Sequence, residues 1–250
     1  MAEDRVRTAQ LVALRSETSK TLALESIHTP YHRPLRDRDP ATLDARLVLL
    51  LDPDSRRSES FRSTCDTLIE NSLPRIIAIS SSQPNEGKTT CAINLALALA
   101  EQPGTLVLLL DANFFAPSLH TIFLPDVDPR DLMLENAPTT LAPYRIADVL
   151  PGLHVGVIAP EPGKPTPSFN RRRFDMALGR LSAVAYDYIV IDAPALDGSA
   201  SATQIINAAE GTVLTARAAS TTSRHLRRAA ELIPKNRGLG VVLVDDPELR

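Results

Sequence analysis

The sequence predicts an α/β fold, a mostly parallel sheet flanked by helices on both faces. Three observations carry that prediction. Short apolar runs lack polar alternation, as suits strands buried on both sides. Helical stretches separate them, which calls for parallel pairing through crossovers. A Gly-Lys-Thr triplet, Gly87-Lys88-Thr89, stands between one such run and one such helix.

Residues 1–55 are polar and rich in Arg, Asp and Pro, and read as a partly flexible arm ahead of a folded domain over 56–250. Within the arm, Gln10 to Leu24 has loose helical spacing of Leu11, Leu14 and Leu22, and Arg46 to Leu51 is an apolar segment able to dock on the domain. Glu59 to Ser72 predicts a helix stopped by Pro74, and Arg75 to Ser80 a buried strand. A helix from Gly87 to Gln102, closed by Pro103-Gly104, precedes a strand from Thr105 to Leu110 that ends at Asp111. The insert Ala112 to Pro151 carries Pro117, Pro125, Pro129, Pro138, Pro143 and Pro151, a density that predicts irregular structure with short helices such as Ile146 to Leu150. Further strands are expected at Leu153 to Ala159, Tyr186 to Ile191 and Thr212 to Ala216, with a helix from about Arg172 to Val184. Helix Ser223 to Ile233 and strand Gly238 to Val244 complete the pattern.

The bulk properties narrow the function. A chain of 250 residues, 44% hydrophobic and 23% charged, supports one substantial core. The net charge of −3 and pI near 6.0 give no global attraction to nucleic acid, so none is expected as a partner. Cys91 to Ala100, the longest strongly apolar stretch, is about half the roughly 20 residues that cross a bilayer. The start Met-Ala-Glu-Asp-Arg has no secretory pattern, so a cytoplasmic protein is expected. Cys65 and Cys91 have no metal-ligand spacing with the histidines.

A phosphate-binding loop needs inward backbone N–H groups, a helix N-terminus behind them, a lysine for the outer phosphates and a hydroxyl for Mg²⁺. Ser82-Gln83-Pro84-Asn85-Glu86-Gly87-Lys88-Thr89-Thr90 supplies the lysine and hydroxyl in the required strand–loop–helix context, although Ser82 stands where the general pattern has its first glycine. The expected ligand is ATP with Mg²⁺, contacted by Glu86, Gly87, Lys88, Thr89 and Thr90. Asp111 and Asp192 each end an apolar strand, at the sheet edge where ligands bind. They are candidate catalytic groups with Lys88, and candidate metal ligands with Thr89. The alternative is that each carboxylate caps the turn that follows.

These residues carry a resemblance. Ile79 to Ala100 resembles the Walker A region of bacterial tyrosine kinases (BY-kinases), within the deviant-Walker P-loop group that includes MinD and ParA ATPases. The likeness runs through most of residues 55–245: Val107 to Leu119 resembles the family's Walker A′ segment and Tyr186 to Pro194 its Walker B segment. Glu59-Ser-Phe-Arg62 resembles the start of its helical oligomerisation motif. The resemblance implies a P-loop NTPase fold in which Lys88 holds the outer phosphates, Thr89 ligates Mg²⁺, and Asp111 and Asp192 support the metal and the attacking hydroxyl. It also implies tyrosine autokinase activity in exopolysaccharide or capsule synthesis and export. The implied partners are a membrane polysaccharide co-polymerase or other envelope complex at the inner face of the membrane, and further copies of the chain.

The chain departs from the family at Asn113, where a second acid is usual, at Phe115, where an arginine is usual, and at Cys65, where the oligomerisation motif has a second arginine. Family kinases also end in a tyrosine-rich tail, whereas Tyr188 is the last tyrosine here. Two alternatives therefore stay open: a catalytically degenerate nucleotide-binding assembly or regulatory module, and a MinD/ParA-like positioning ATPase. Tyr186 and Tyr188 flank a strand and are expected to pack, Tyr144 lies in the Pro-rich insert, and Tyr31, in the arm, alone has the exposure a phospho-acceptor needs but is not expected to be one. Arg171-Arg172-Arg173 and the face of Arg224, Arg227 and Arg228 read as solvated surfaces or as sites for an anion or acidic partner.

Overall fold

A computed structural model describes residues 35, 38–114, 116–125, 144–158, 169–183 and 186–244. Within these, a short 3₁₀ turn at Pro40–Thr42 precedes α1 (Val48–Leu51), α2 (Arg56–Glu70), β1 (Ile76–Ser81), α3 (Lys88–Ala100), β2 (Val107–Asp111) and α4 (Leu119–Phe123). Then follow β3 (Tyr144–Leu150), β4 (Leu153–Ile158), α5 (Arg171–Ala183), β5 (Tyr188–Asp192), α6 (Ala200–Ala208), β6 (Gly211–Arg217), α7 (Ser223–Glu231) and β7 (Gly238–Val244).

The seven strands form one sheet in the order β3-β4-β2-β5-β1-β6-β7. Every pairing is parallel except β3 with β4. β1 and β2 are buried along their whole length, as the unbroken apolar runs require of central strands. Successive β1 side chains alternate between the two faces: Ile77 and Ile79 join the core under α3, and Ile76 and Ala78 the core on the other side. The first core gathers α1, α2 and α3 through residues such as Leu49, Cys65, Ile93 and Leu97. The second gathers α5, α6 and α7 through Phe174, Leu181, Ile205, Ile206 and Ala229. Helices thus cover both faces.

Two elements correct the expectation. Ile146 to Leu150, expected as a short helix, lies in strand β3 and pairs antiparallel with β4, Ile146 opposite Gly156 and Leu150 opposite Leu153. The run is only long enough for one helical turn, and the backbone bonds offered by the edge of β4 outweigh what so short a helix gains. Helix α6 was not anticipated. It buries Ala202, Ile205 and Ile206, one helical face.

Two features hold the segment before the domain in place. Leu47 and Leu49 are buried in the first core. Ser55 caps α2 by accepting a hydrogen bond from the Ser58 N–H. The expected helix at Gln10 to Leu24 lies outside the described residues, as do Tyr31, Phe115 and Asp245.

Candidate functional site

The loop between β1 and α3 takes left-handed backbone at two positions, Asn85 (φ 63°) and Gly87 (φ 85°). Ser82 is not among the left-handed residues, so the serine costs nothing where the general pattern has glycine. Gly87 is required twice over. Its φ suits glycine, and a Cβ there would come within 2.9 Å of Val244 Cγ2, the last side chain of β7. Gly87 is also the N-cap of α3 and offers no side chain to cap it, so the first N–H groups of that helix are left for a ligand.

Glu86 braces the loop. Its buried carboxylate accepts from the Ser82 hydroxyl (2.9 and 3.1 Å), the Gln83 N–H (3.0 Å) and the Thr221 hydroxyl. Thr221 in turn accepts from the Arg217 N–H at 2.8 Å, which ties the loop to the end of β6. The expectation placed Glu86 among the nucleotide contacts; the structure turns its side chain into the loop's own scaffold.

Lys88 opens α3 and is nearly buried. Burial pulls its ammonium below the usual lysine range, opposed by the charges of Asp192, Glu86 and Asp197. Beside it, the Thr89 hydroxyl donates to Asp192 Oδ2 at 2.8 Å. The other oxygen, Asp192 Oδ1, is buried without a hydrogen-bond partner among the described residues. A desolvated, half-satisfied carboxylate beside a threonine hydroxyl is a donor set that fits Mg²⁺, which takes one or two protein oxygens and completes its shell with water and phosphate. No cluster of three or more His, Cys, Asp or Glu groups able to hold a metal occurs among the described residues.

Asp111 and Asp192 are direct neighbours in the β2–β5 register. Burial, followed by the charge of Asp111, pushes the Asp192 carboxyl up to about 7, while Thr89, Lys88 and Arg46 oppose the rise. Asp111 is also raised by burial, but backbone donors hold it: Asn113 N–H at 3.0 Å on one oxygen, Ser118 N–H at 2.8 Å and Leu119 N–H at 3.0 Å on the other. Its carboxylate caps α4 and shapes the loop after β2. The two aspartates therefore differ: Asp192 presents a free oxygen to the loop and Asp111 does not.

The remaining candidates divide. Thr90 gives its carbonyl to Asn94 Nδ2 at 2.7 Å. Tyr186 is buried with its hydroxyl 3.0 Å from His154 Nδ1, and Tyr188 is half-buried. Phe114, next to Asn113, packs edge-on against Phe169 and Phe174, joining the loop after β2 to the start of α5, where Arg171 pairs with Asp175 at 2.8 Å. On α2, Glu59 is exposed, Arg62 is bidentate to Glu101 (2.6 and 2.9 Å), and Cys65 faces the core, where burial pushes its thiol up to about 12. Two contributors lie outside the motif: Thr221 is far along the chain from the loop, and Arg46 is legible only as the start of an apolar segment. Asn94 stands within the stretch Ile79 to Ala100 that carries the resemblance, but its bonds to residues 46–49 have no sequence signal.

No family model matches the chain. It is 27% identical over 217 residues to the tyrosine-protein kinase YwqD of Bacillus subtilis (strain 168), covering 84% of this chain and 90% of that protein. A shorter match, 40% identical over 76 residues, is to the succinoglycan biosynthesis transport protein ExoP of Rhizobium meliloti (strain 1021), and spans 10% of that protein. Among solved structures, the chimerical protein CapA2B2 superposes with a TM-score of 0.65 at 26% identity, over 81% of this chain and 90% of its own.

Proposed function

We propose that this chain, whose relatives are bacterial tyrosine-protein kinases, is itself an ATP- and Mg²⁺-binding protein of that kind, acting in the synthesis or export of an exopolysaccharide or capsule. The observation that carries the reading is the unpartnered Asp192 Oδ1 beside Thr89 and Lys88 at the mouth of the loop. Lys88 supplies charge to the outer phosphates, and the N-terminus of α3 supplies N–H groups to them. Thr89 and Asp192 hold the ion, and Asp111 fixes the loop after β2 that borders it. Bound Mg-ATP supplies an electrophilic terminal phosphoryl group to this setting. The buried Asp192, drawn towards neutrality when alone, is also the group placed to orient or deprotonate an attacking hydroxyl.

The acceptor is a tyrosine other than Tyr186, whose hydroxyl is committed inside the fold. A polysaccharide co-polymerase or other envelope complex at the inner membrane face is the partner this role calls for. Among the described residues no helix is long and apolar enough to cross a membrane. Assembly with further copies would use α2, where the exposed Glu59 and the Glu101-bound Arg62 are available and the interior Cys65 is not.

Radiolabelled ATP incubated with wild type and Lys88→Met tests the proposal. Label on tyrosine, lost in the variant, is the expected result. Free phosphate without labelled protein points to a positioning ATPase, and tight binding with neither product to a regulatory module. No binding at millimolar ATP and Mg²⁺ ends the nucleotide reading.

A further inference from the structure

Asn94 is fully buried in α3, yet it serves a segment outside its helix. Its Nδ2 donates to the carbonyls of Thr90 and Arg46 at 2.7 Å each, and its Oδ1 accepts from the Leu49 N–H at 3.1 Å. These bonds fasten the backbone of residues 46–49 beside the first turn of α3, the turn that carries Thr89. The backbone of an arginine from a part of the chain that precedes the sheet is thereby held beside the helix that the phosphate loop opens.

The Arg46 guanidinium lies bidentate against Asp44, Nε to Oδ1 at 2.8 Å and Nη2 to Oδ2 at 2.7 Å. The pair is accessible, with the two side chains 39% and 28% exposed. The Arg46 charge also reaches into the site: it favours the ionised form of Asp192, and Asp192 favours the charged form of Arg46. The geometry that brings Arg46 close is the Asn94 bridge, whose Nδ2 bonds the Arg46 carbonyl and the Thr90 carbonyl together and so sets the Arg46 backbone beside the turn that carries Thr89. A guanidinium is a planar fork of donors that matches phosphate oxygens as well as it matches a carboxylate. Asp44 occupies that fork here and would compete with a phosphate for it.

We propose that Arg46 is a further triphosphate-binding residue, held by Asp44 until the outermost phosphate of a nucleotide at the Lys88–Thr89 loop takes the guanidinium in its place. The inference rests on the nucleotide reading and adds to it a residue from the segment ahead of the domain. It makes Asp44 an antagonist of binding, and so assigns opposite signs to two neighbouring substitutions.

The test is equilibrium binding of Mg-ATP and Mg-ADP to wild type, Arg46→Gln, Arg46→Lys and Asp44→Asn, with the melting temperature of each. Arg46→Gln is expected to weaken ATP about tenfold and ADP about threefold or less, the scale of one charge-assisted hydrogen bond. Arg46→Lys keeps the charge and should recover part of the loss. Asp44→Asn retains an acceptor for the Arg46 N–H, now 2.9 Å away, and should tighten ATP binding severalfold. A purely structural pair predicts the reverse for Asp44→Asn: both substitutions lower the melting temperature and weaken both nucleotides alike. That result overturns the proposal, as does ATP affinity unchanged in Arg46→Gln. If Arg46→Gln does not fold, Arg46→Lys and Asp44→Asn still decide by the sign of their effects. Wild type that binds neither nucleotide overturns the phosphate-loop reading itself, a failure distinct from equal losses of ATP and ADP.

Discussion

Asp192 is where the proposed chemistry and the stability of the fold oppose one another. Its carboxyl is raised to about 7 in the folded chain, against about 3.9 when exposed. Between those values the native state holds a proton that the unfolded chain has lost, so stability falls as pH rises from about 4 to 7 and levels off above. Chemical denaturation across that range should show this decline in wild type and a flatter profile in Asp192→Asn. Mg²⁺ must displace the same proton, so its affinity should climb by up to about tenfold per pH unit below 7, which metal titration can follow. Thr221 gives a second prediction at this scale. Thr221→Val removes one donor to the Glu86 carboxylate and one acceptor of the Arg217 N–H, and should cost about 1–3 kcal/mol in denaturant unfolding. Much of the site could be read from the sequence: Lys88, Thr89 and Asp192 follow from a triplet and a strand end. Thr221 could not, nor could the reach of Asn94 to residues 46–49, because those hydrogen bonds join residues with no fixed spacing along the chain.

Helix α3 owes its position to the segment it holds as well as to the sheet it covers. Asn94→Leu removes three hydrogen bonds, two of them to residues 46–49, and leaves the Leu49 N–H and the Arg46 carbonyl to find water. A loss of about 2–3 kcal/mol is expected, with a melting temperature lower by about 5–10 °C. Faster amide exchange confined to residues 46–51 would show that the segment, not the sheet, has loosened. The elements easiest to read in advance are those with one dominant signal. β1, β2 and β5 are uninterrupted apolar runs, and α3 is a run of Ala and Leu too long for a strand. β3 misleads because Ile146 to Leu150 is apolar, short and placed in a proline-rich stretch, where periodicity does not separate a helical turn from an edge strand. α6 is obscured by Ser201, Thr203 and Asn207, weak helix formers. Its Ala202, Ile205 and Ile206 spacing was the signal available.

For the molecule as a whole, a ligand that binds only the native state raises its stability by mass action. Mg-ATP at about a hundred times its dissociation constant should add about 2.7 kcal/mol, or roughly 5–10 °C in a melting experiment. Lys88→Met should abolish that rise. The general architecture was legible because strands alternating with helices admit few arrangements, but the order of strands was not, since parallel partners are chosen by packing across long stretches of chain. That order has a temporal consequence. β1 leads directly into the phosphate loop, yet its neighbours in the sheet are β5 and β6, and the loop leans on Thr221 and Val244. During synthesis the loop therefore emerges early and waits, without these neighbours, until the ribosome has passed Val244. Nucleotide cannot template the nascent first half of the chain; the site matures only when the last strands arrive to enclose it.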